Sequence, residues 1–152
     1  MESWKLPWEG GCRCGTTRIR VTTPPLLTMA CHCAGCQKMS ASAYSLSVGV
    51  SSAGFEVIQG EPALGGKDRD MHHFCPHCMT WMFTTLPGFD WLVNVRAPVL
   101  DDHLWVAPFL EVYTKEGFAW ARTGAPHSFE TEPDPDGWKA LIDAFAGEGA
   151  RP

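Results

Sequence analysis

The segment CHCAGC, residues 31–36, places three cysteines within six positions and decides how the rest of the chain is interpreted. It combines a C-x-C spacing, from Cys31 to Cys33, with a C-x-x-C spacing that Cys36 completes. Three protein ligands leave one position of a tetrahedral zinc ion open, as in catalytic zinc sites. The trio therefore predicts a zinc centre that can admit a substrate.

The other four cysteines form two close pairs on either side of the trio. Cys12 and Cys14 are separated by one residue, and Cys75 and Cys78 have the C-x-x-C spacing of a zinc knuckle. A structural zinc ion takes four tetrahedral ligands, commonly as two close pairs from distant parts of a chain. These two pairs therefore predict a closed structural zinc site.

Three other arrangements of the seven cysteines stay open on the residues alone. One zinc ion could use four of them and leave three incidental thiols. A second closed structural site would need a histidine beside the trio, and the candidates are His32, His72, His73 and His77. Cys33 and Cys36 could also cycle as a redox dithiol, although such motifs usually begin a helix after a strand and have no role for a third cysteine.

Composition limits the class of protein. The 152 residues, with 45% hydrophobic and 19% charged, predict a single globular domain over 1–152. A net charge of −5 without a run of Lys or Arg argues against nucleic-acid binding. No apolar stretch approaches the roughly 20 residues that span a bilayer, and the first residues do not resemble a signal peptide. We expect a cytoplasmic protein, because an odd number of clustered cysteines suits metal binding better than disulfides.

Short alternating segments separated by Gly and Pro predict a mainly β domain. Strands are expected at 16–22, 26–30, 44–50, 55–58, 71–74, 80–84, 91–95 and 104–107. Residues 60–70, which contain two adjacent glycines and several charges, are expected to form an exposed loop.

One helix is expected near the C-terminus, at about 136–146. Its apolar residues recur at helical spacing and form a single stripe, made of Trp138, Leu141, Ile142 and Phe145. Asp134 or Asp136 could cap its start, and Gly147 could end it.

Three motifs in this order resemble the glutathione-dependent formaldehyde-activating enzyme family, which includes S-(hydroxymethyl)glutathione synthase and domains of the centromere protein V type. They are Gly-Cys-x-Cys-Gly at 11–15, Cys-His-Cys-x-x-Cys-Gln at 31–37 and Phe-Cys-x-x-Cys at 74–78. The resemblance covers about residues 8–130. It implies a β-tent fold, in which antiparallel sheets carry zinc sites near their ends.

The resemblance also implies roles for the cysteines. The structural zinc ligands of the family correspond here to Cys12, Cys14, Cys75 and Cys78. The catalytic zinc ligands correspond to Cys31, Cys33 and Cys36. The implied activity is that of a zinc-dependent carbon–sulfur lyase, which joins glutathione or a similar thiol to a small aldehyde. The alternative is a non-catalytic zinc module for protein interaction or adduct carriage.

Two departures from the family pattern bear on the pocket. Met79-Thr80-Trp81 follows the last cysteine pair, where Gly and a small residue are common, and Gln37-Lys38 follows the trio, where Arg is frequent.

A pocket for glutathione needs cations for its two carboxylates. The cations near the motifs are Arg13, Lys38, Arg69 and Arg96. Trp81 is the aromatic residue most expected to line the pocket, and His32, between two ligands, is a candidate hydrogen-bond donor or proton shuttle.

Overall fold

Two β-sheets build most of this computed structural model, which describes residues 4–67 and 71–152. The smaller sheet has the strand order β1-β2-β5, and both of its pairings are antiparallel. Its strands are β1 (Trp8–Gly11), β2 (Arg18–Val21) and β5 (Phe55–Gln59). The predicted mainly β class is confirmed.

The larger sheet has eight strands in the order β11-β10-β3-β4-β9-β8-β7-β6. They are β3 (Leu27–Cys31), β4 (Ser45–Ser51), β6 (Ala63–Gly65), β7 (His72–Phe74), β8 (Trp81–Thr85), β9 (Leu92–Arg96), β10 (Leu110–Val112) and β11 (His127–Ser128). Strand β10 runs parallel to both β3 and β11, whereas the other pairings are antiparallel. The larger sheet is therefore antiparallel except at this edge, where the two parallel pairings of β10 make it mixed.

Two α-helices occur in the described chain. Helix α1 (Ala34–Ser40) follows β3 and was not expected. Helix α2 (Pro135–Glu148) is longer than the predicted segment 136–146, since Gly147 lies inside it and Gly149 is its C-cap. The side chain of Asp134 caps its first turn, as expected. Among the described residues, no helix has the length and apolar character of a membrane-spanning segment.

The core lies between the sheets and is closed by α2. Ile19 of the smaller sheet and Val48 and Val95 of the larger one are fully or almost fully buried. Leu141 and Phe145, from the predicted apolar stripe of α2, pack into the same cluster. This core fixes the ends of the strands that carry the cysteines.

Some expected elements differ from the structure. Residues 104–107 form a turn instead of a strand, and β10 begins further on. Strand β6 lies inside the expected loop 60–70, whose positions 68–70 fall outside the described residues. Strand β10 shows no alternation because all three of its residues are buried, so a period of two could not reveal it.

Candidate metal centres and the adjoining cavity

Four cysteines meet where the segment after β1 approaches the turn between β7 and β8. The sulfurs of Cys12, Cys14, Cys75 and Cys78 all lie within 4.8 Å of one another. The Cys12–Cys14 and Cys14–Cys75 sulfur pairs are 3.5 and 3.8 Å apart. Zinc–sulfur bonds of about 2.3 Å give a tetrahedron with edges of about 3.8 Å. The quartet therefore has the spacing and the soft donor set of a zinc site.

Threonine hydroxyls contact the sulfurs of this quartet. Thr16 Oγ1 lies 3.0 Å from Cys14 Sγ and 3.4 Å from Cys75 Sγ, and Thr80 Oγ1 lies 3.1 Å from Cys78 Sγ. The hydrogen bond with Thr16 lowers the pKa of Cys75 to about 5, and the one with Thr80 lowers the pKa of Cys78 to about 7. These contacts favour thiolates, the form that binds metal.

The trio forms a separate group at the end of β3. Cys31 ends that strand, Cys33 caps helix α1 by accepting a 3.3 Å hydrogen bond from the Cys36 amide, and the three sulfurs lie within 4.8 Å of one another. No histidine, carboxylate or further cysteine joins them within the described part of the chain. The grouping into four and three is thus the one that the sequence predicted, and neither closure by a histidine nor a merged cluster is found among these residues.

The helix start bears on the redox alternative. Cys33 and Cys36 do lie at the beginning of a helix after a strand, which is the position that redox dithiols favour. The position of these two cysteines therefore agrees with the redox alternative and is no argument against it. The third sulfur of Cys31 beside them still favours a shared metal ion, because a dithiol pair needs only two.

Hydrogen bonding between the sulfurs lowers the pKa of Cys36 and raises that of Cys31. The hydrogen bond with Cys31, that with Ser45 and the charge of Arg96 lower the pKa of Cys36 to about 6 against the effect of burial. The same contact with Cys36, together with burial, raises the pKa of Cys31. Arg96 therefore supplies a positive field at the trio.

A cavity of about 970 Å³ is lined by residues that adjoin both cysteine groups, although none of the seven cysteines belongs to the lining. On the side of the trio, the lining residue Ser40 donates to the Cys36 carbonyl at 2.6 Å. The lining residues are Gly11, Arg13, Met39, Ser40, Ser42, Ala43, Tyr44, Ser45, Leu46, Met79, Thr80, Trp81, Arg96, Pro98, Val99 and Trp120. The volume of the cavity lies at the upper end of the range for small-molecule sites, about 300–1,000 Å³. The cavity therefore has room for a small molecule close to the residues that carry the trio.

Comparison with known families identifies the family of the chain. The model of the family described as glutathione-dependent formaldehyde-activating enzyme matches residues 7–116. The chain belongs to this family. A crystal structure of a Rhodobacter sphaeroides protein is similar at 19% identity and a TM-score of 0.49, over 62% of this chain and 88% of that one. No curated protein sequence matches the chain.

Met79 shows how this member of the formaldehyde-activating family keeps its knuckle turn without the usual glycine. Its φ is 62°, in the left-handed region that glycine adopts most easily. Its amide donates to the Cys75 carbonyl at 2.9 Å, which closes the turn. The side chain is 65% exposed and lines the cavity. Met79 in place of glycine therefore preserves the turn and adds an apolar side chain to the cavity wall.

Arg96 is a cation that interacts electrostatically with the thiols of Cys36 and Cys31. Its guanidinium lies 4.0 Å from the centre of the Trp81 ring, and its Nη1 donates to Ser45 Oγ at 3.3 Å. Its Nη2 donates to Thr84 Oγ1 at 3.0 Å. Burial lowers the pKa of Arg96 to about 10, while the thiols of Cys36 and Cys31 act in the opposite direction, so it is charged at neutral pH. Sequence reasoning named this residue but could not rank it.

The other predicted pocket residues have mixed outcomes. Trp81 and Arg13 line the cavity, as expected. Lys38 is exposed on α1 and is not part of the lining. Arg69 lies outside the described residues. Trp120 was expected in the core like the other aromatic residues of the predicted strands, but it is 79% exposed and lines the cavity.

His32 is turned away from the trio. It is fully buried, and its Nε2 lies 2.8 Å from Glu111 Oε2. Although burial raises the pKa of Glu111, hydrogen bonds from Thr123, His32 and Ser128 lower it below its usual range. The His32–Glu111 pair connects β10 to the trio, because His32 lies between Cys31 and Cys33 in the sequence. His32 is therefore a positioning residue for the trio.

Glu111→Ala should destabilise the protein by about 3 kcal/mol, because it leaves the buried His32 without the carboxylate with which it is paired. Urea unfolding of the zinc-loaded protein measures this change. Glu130→Ala, at an exposed position, is the control and should be neutral. An unchanged midpoint in Glu111→Ala would contradict the structural role of the pair.

Proposed function

We propose that this protein forms an adduct between a thiol and a small aldehyde at a zinc ion held by Cys31, Cys33 and Cys36. The observation that supports this proposal is the incomplete trio beside a cavity, in a chain of the glutathione-dependent formaldehyde-activating family. Glutathione and formaldehyde are the substrates that the family description suggests. The reaction class is that of a carbon–sulfur lyase.

Zinc, when bound, supplies a deprotonated thiol at neutral pH and polarises the aldehyde oxygen. The reaction balances without another reactant: a carbon–sulfur bond forms while the S–H bond and the π bond of the aldehyde C=O break, and the thiol proton ends on the former carbonyl oxygen.

The chain contributes position and charge. The cavity holds both reactants next to the trio, so their encounter becomes effectively intramolecular. Arg96, above Trp81 and hydrogen-bonded to Ser45, compensates the negative charge of three thiolates and a substrate anion.

The quartet of Cys12, Cys14, Cys75 and Cys78 would hold a second, structural zinc ion. It ties the segment after β1 to the β7–β8 turn, and both segments carry residues of the cavity lining, Arg13 and Met79. All seven cysteines are free thiols. A reducing compartment keeps them so, and we therefore propose the cytoplasm.

The competing proposal, a non-catalytic zinc module, predicts no dependence on thiol and aldehyde. Calorimetric titration of the zinc-loaded protein with glutathione, with and without formaldehyde, separates the two. We expect binding heat with glutathione and a different heat when formaldehyde is present, together with adduct formation above the uncatalysed rate by NMR. No heat in either titration and no rate increase would contradict the catalytic proposal.

A further inference from the structure

Within the described chain, the cavity lining has cationic and no acidic side chains, in a protein that is acidic overall. The chain has 17 acidic against 12 basic residues. The described residues that line the cavity nevertheless include two arginines, Arg13 and Arg96, and neither aspartate nor glutamate. An isolated concentration of guanidinium groups favours an anionic ligand.

Arg96 has donor capacity left for such an anion. Its hydrogen bonds go to hydroxyl and carbonyl oxygens, and no carboxylate pairs with it within the described part of the chain. Its Nε is buried without a hydrogen-bond partner. Nη1 uses one of its two N–H groups on Ser45 and has one donor left, from which a ligand carboxylate can accept.

The rest of the lining is mostly apolar. Its larger apolar and aromatic members include Met39, Leu46, Met79, Trp81, Val99 and Trp120. Trp120 is 79% exposed and stacks on Phe118 with ring centres 5.6 Å apart. An exposed aromatic pair at a cavity mouth is a surface for an apolar group of a ligand.

Neither reactant suggested by the family description matches this lining well. Formaldehyde, with one carbon, needs no apolar wall. Glutathione carries an ammonium group as well as two carboxylates, and the described lining residues offer no carboxylate to that ammonium.

We propose that the cavity binds an organic monoanion with an aromatic or branched apolar body. The carboxylate accepts from Arg96, and the body packs against Met79 and Trp120. This inference rests on the proposed function, because the monoanion is then the thiol substrate, a mercaptocarboxylate. Arg96 donates to Ser45, and Ser40 of the same lining donates to the Cys36 carbonyl, so a carboxylate held by Arg96 lies on the side of the cavity that adjoins the trio.

The test is isothermal calorimetry of the zinc-loaded protein with three probes that carry no thiol. 3-Phenylpropionate has both groups, propionate lacks the ring and 3-phenylpropanol lacks the charge. We expect 3-phenylpropionate to bind at least about tenfold more tightly than either of the others. Propionate also controls for a carboxylate that merely ligates zinc. Equal affinities for the three probes would overturn the inference.

Variants locate the two halves of the site. Trp120→Ala should weaken 3-phenylpropionate about 3- to 10-fold and leave propionate unchanged. Arg96→Met should weaken it about 10- to 100-fold, with partial rescue by Arg96→Lys. Trp91→Ala and Arg122→Ala remove an exposed aromatic residue and an exposed cation outside the lining, and should change nothing. If Arg96→Met does not fold, Trp120→Ala alone tests the inference. Unchanged binding of 3-phenylpropionate by that variant overturns it.

The two proposals fail in different ways. If glutathione and formaldehyde react at the zinc-loaded protein but 3-phenylpropionate does not bind, the inference is overturned and the proposed function stands. If 3-phenylpropionate binds with the expected variant pattern, but no thiol adduct forms faster than without protein, the cavity assignment stands and the proposed function is overturned.

Discussion

Cys78→Ser is expected to leave the chain largely unfolded, even in the presence of zinc. Cys78 belongs to the quartet that joins the segment after β1 to the β7–β8 turn. Structural zinc binds with an apparent free energy of about 10–16 kcal/mol, which matches or exceeds the whole stability of a typical domain, about 5–15 kcal/mol. Loss of one ligand therefore removes most of the free energy that favours the folded state. Circular dichroism melting and the zinc content of the purified protein measure the result.

The matched control is the neighbouring exposed residue, in the variant Met79→Ala. This change keeps all seven cysteines, so zinc content and melting should stay close to those of the wild type. If Cys78→Ser retained two zinc ions and melted like the wild type, the structural role proposed for the quartet would be wrong.

Cys36→Ser should have the opposite profile, with an intact fold and lost chemistry. Helix α1, which carries Cys36, has no buried residue, so loss of a metal ion there removes little packing. We expect the zinc content to fall from two to one and the melting temperature to change little. Adduct formation should fall at least about 10³-fold, because the reactants are no longer held together.

Lys38→Ala, at an exposed position of the same helix outside the cavity lining, is the control and should keep both zinc ions and full activity. Zinc analysis, melting and an NMR assay of adduct formation together check this prediction. If Cys36→Ser unfolds the protein, the trio is structural and the catalytic proposal fails. If it loses activity while zinc stays at two, the thiol acts as a dithiol partner and not as a ligand.

Most of the strands could be predicted from the sequence. Segments with local alternation or β-branched residues, such as those that became β2, β4 and β9, are found where they were expected. Strand β1 was missed because it ends in two glycines, which have low β propensity. Strand β10 was missed because its pairing with β3 on one side and β11 on the other buries every residue, including a glutamate that no local pattern places inside.

Some features of the candidate site could be predicted from the sequence and others could not. The grouping of cysteines into four and three followed from spacing and from the coordination number of zinc, and the structure contains both groups. The cations could not be ranked, because Arg13, Lys38 and Arg96 differ little in local sequence. The pairing of β8 with β9 brings Arg96 over the ring of Trp81, and the pairing of β3 with β10 joins His32 to Glu111 across 79 positions.

The sequence by itself determined the trio and the two cysteine pairs, because close spacing limits their sulfurs to a small volume whatever the rest of the chain does. The tertiary structure brings the two pairs, 61 positions apart from Cys14 to Cys75, into one quartet. Only the tertiary structure decided what surrounds those ligands. The cavity wall combines residues from segments as distant as Arg13, Met39, Met79, Arg96 and Trp120, and they meet because strand pairing and core burial bring their segments together. The candidate metal ligands are therefore evident from the cysteine spacing, whereas the shape and charge of the cavity depend on the packing around them.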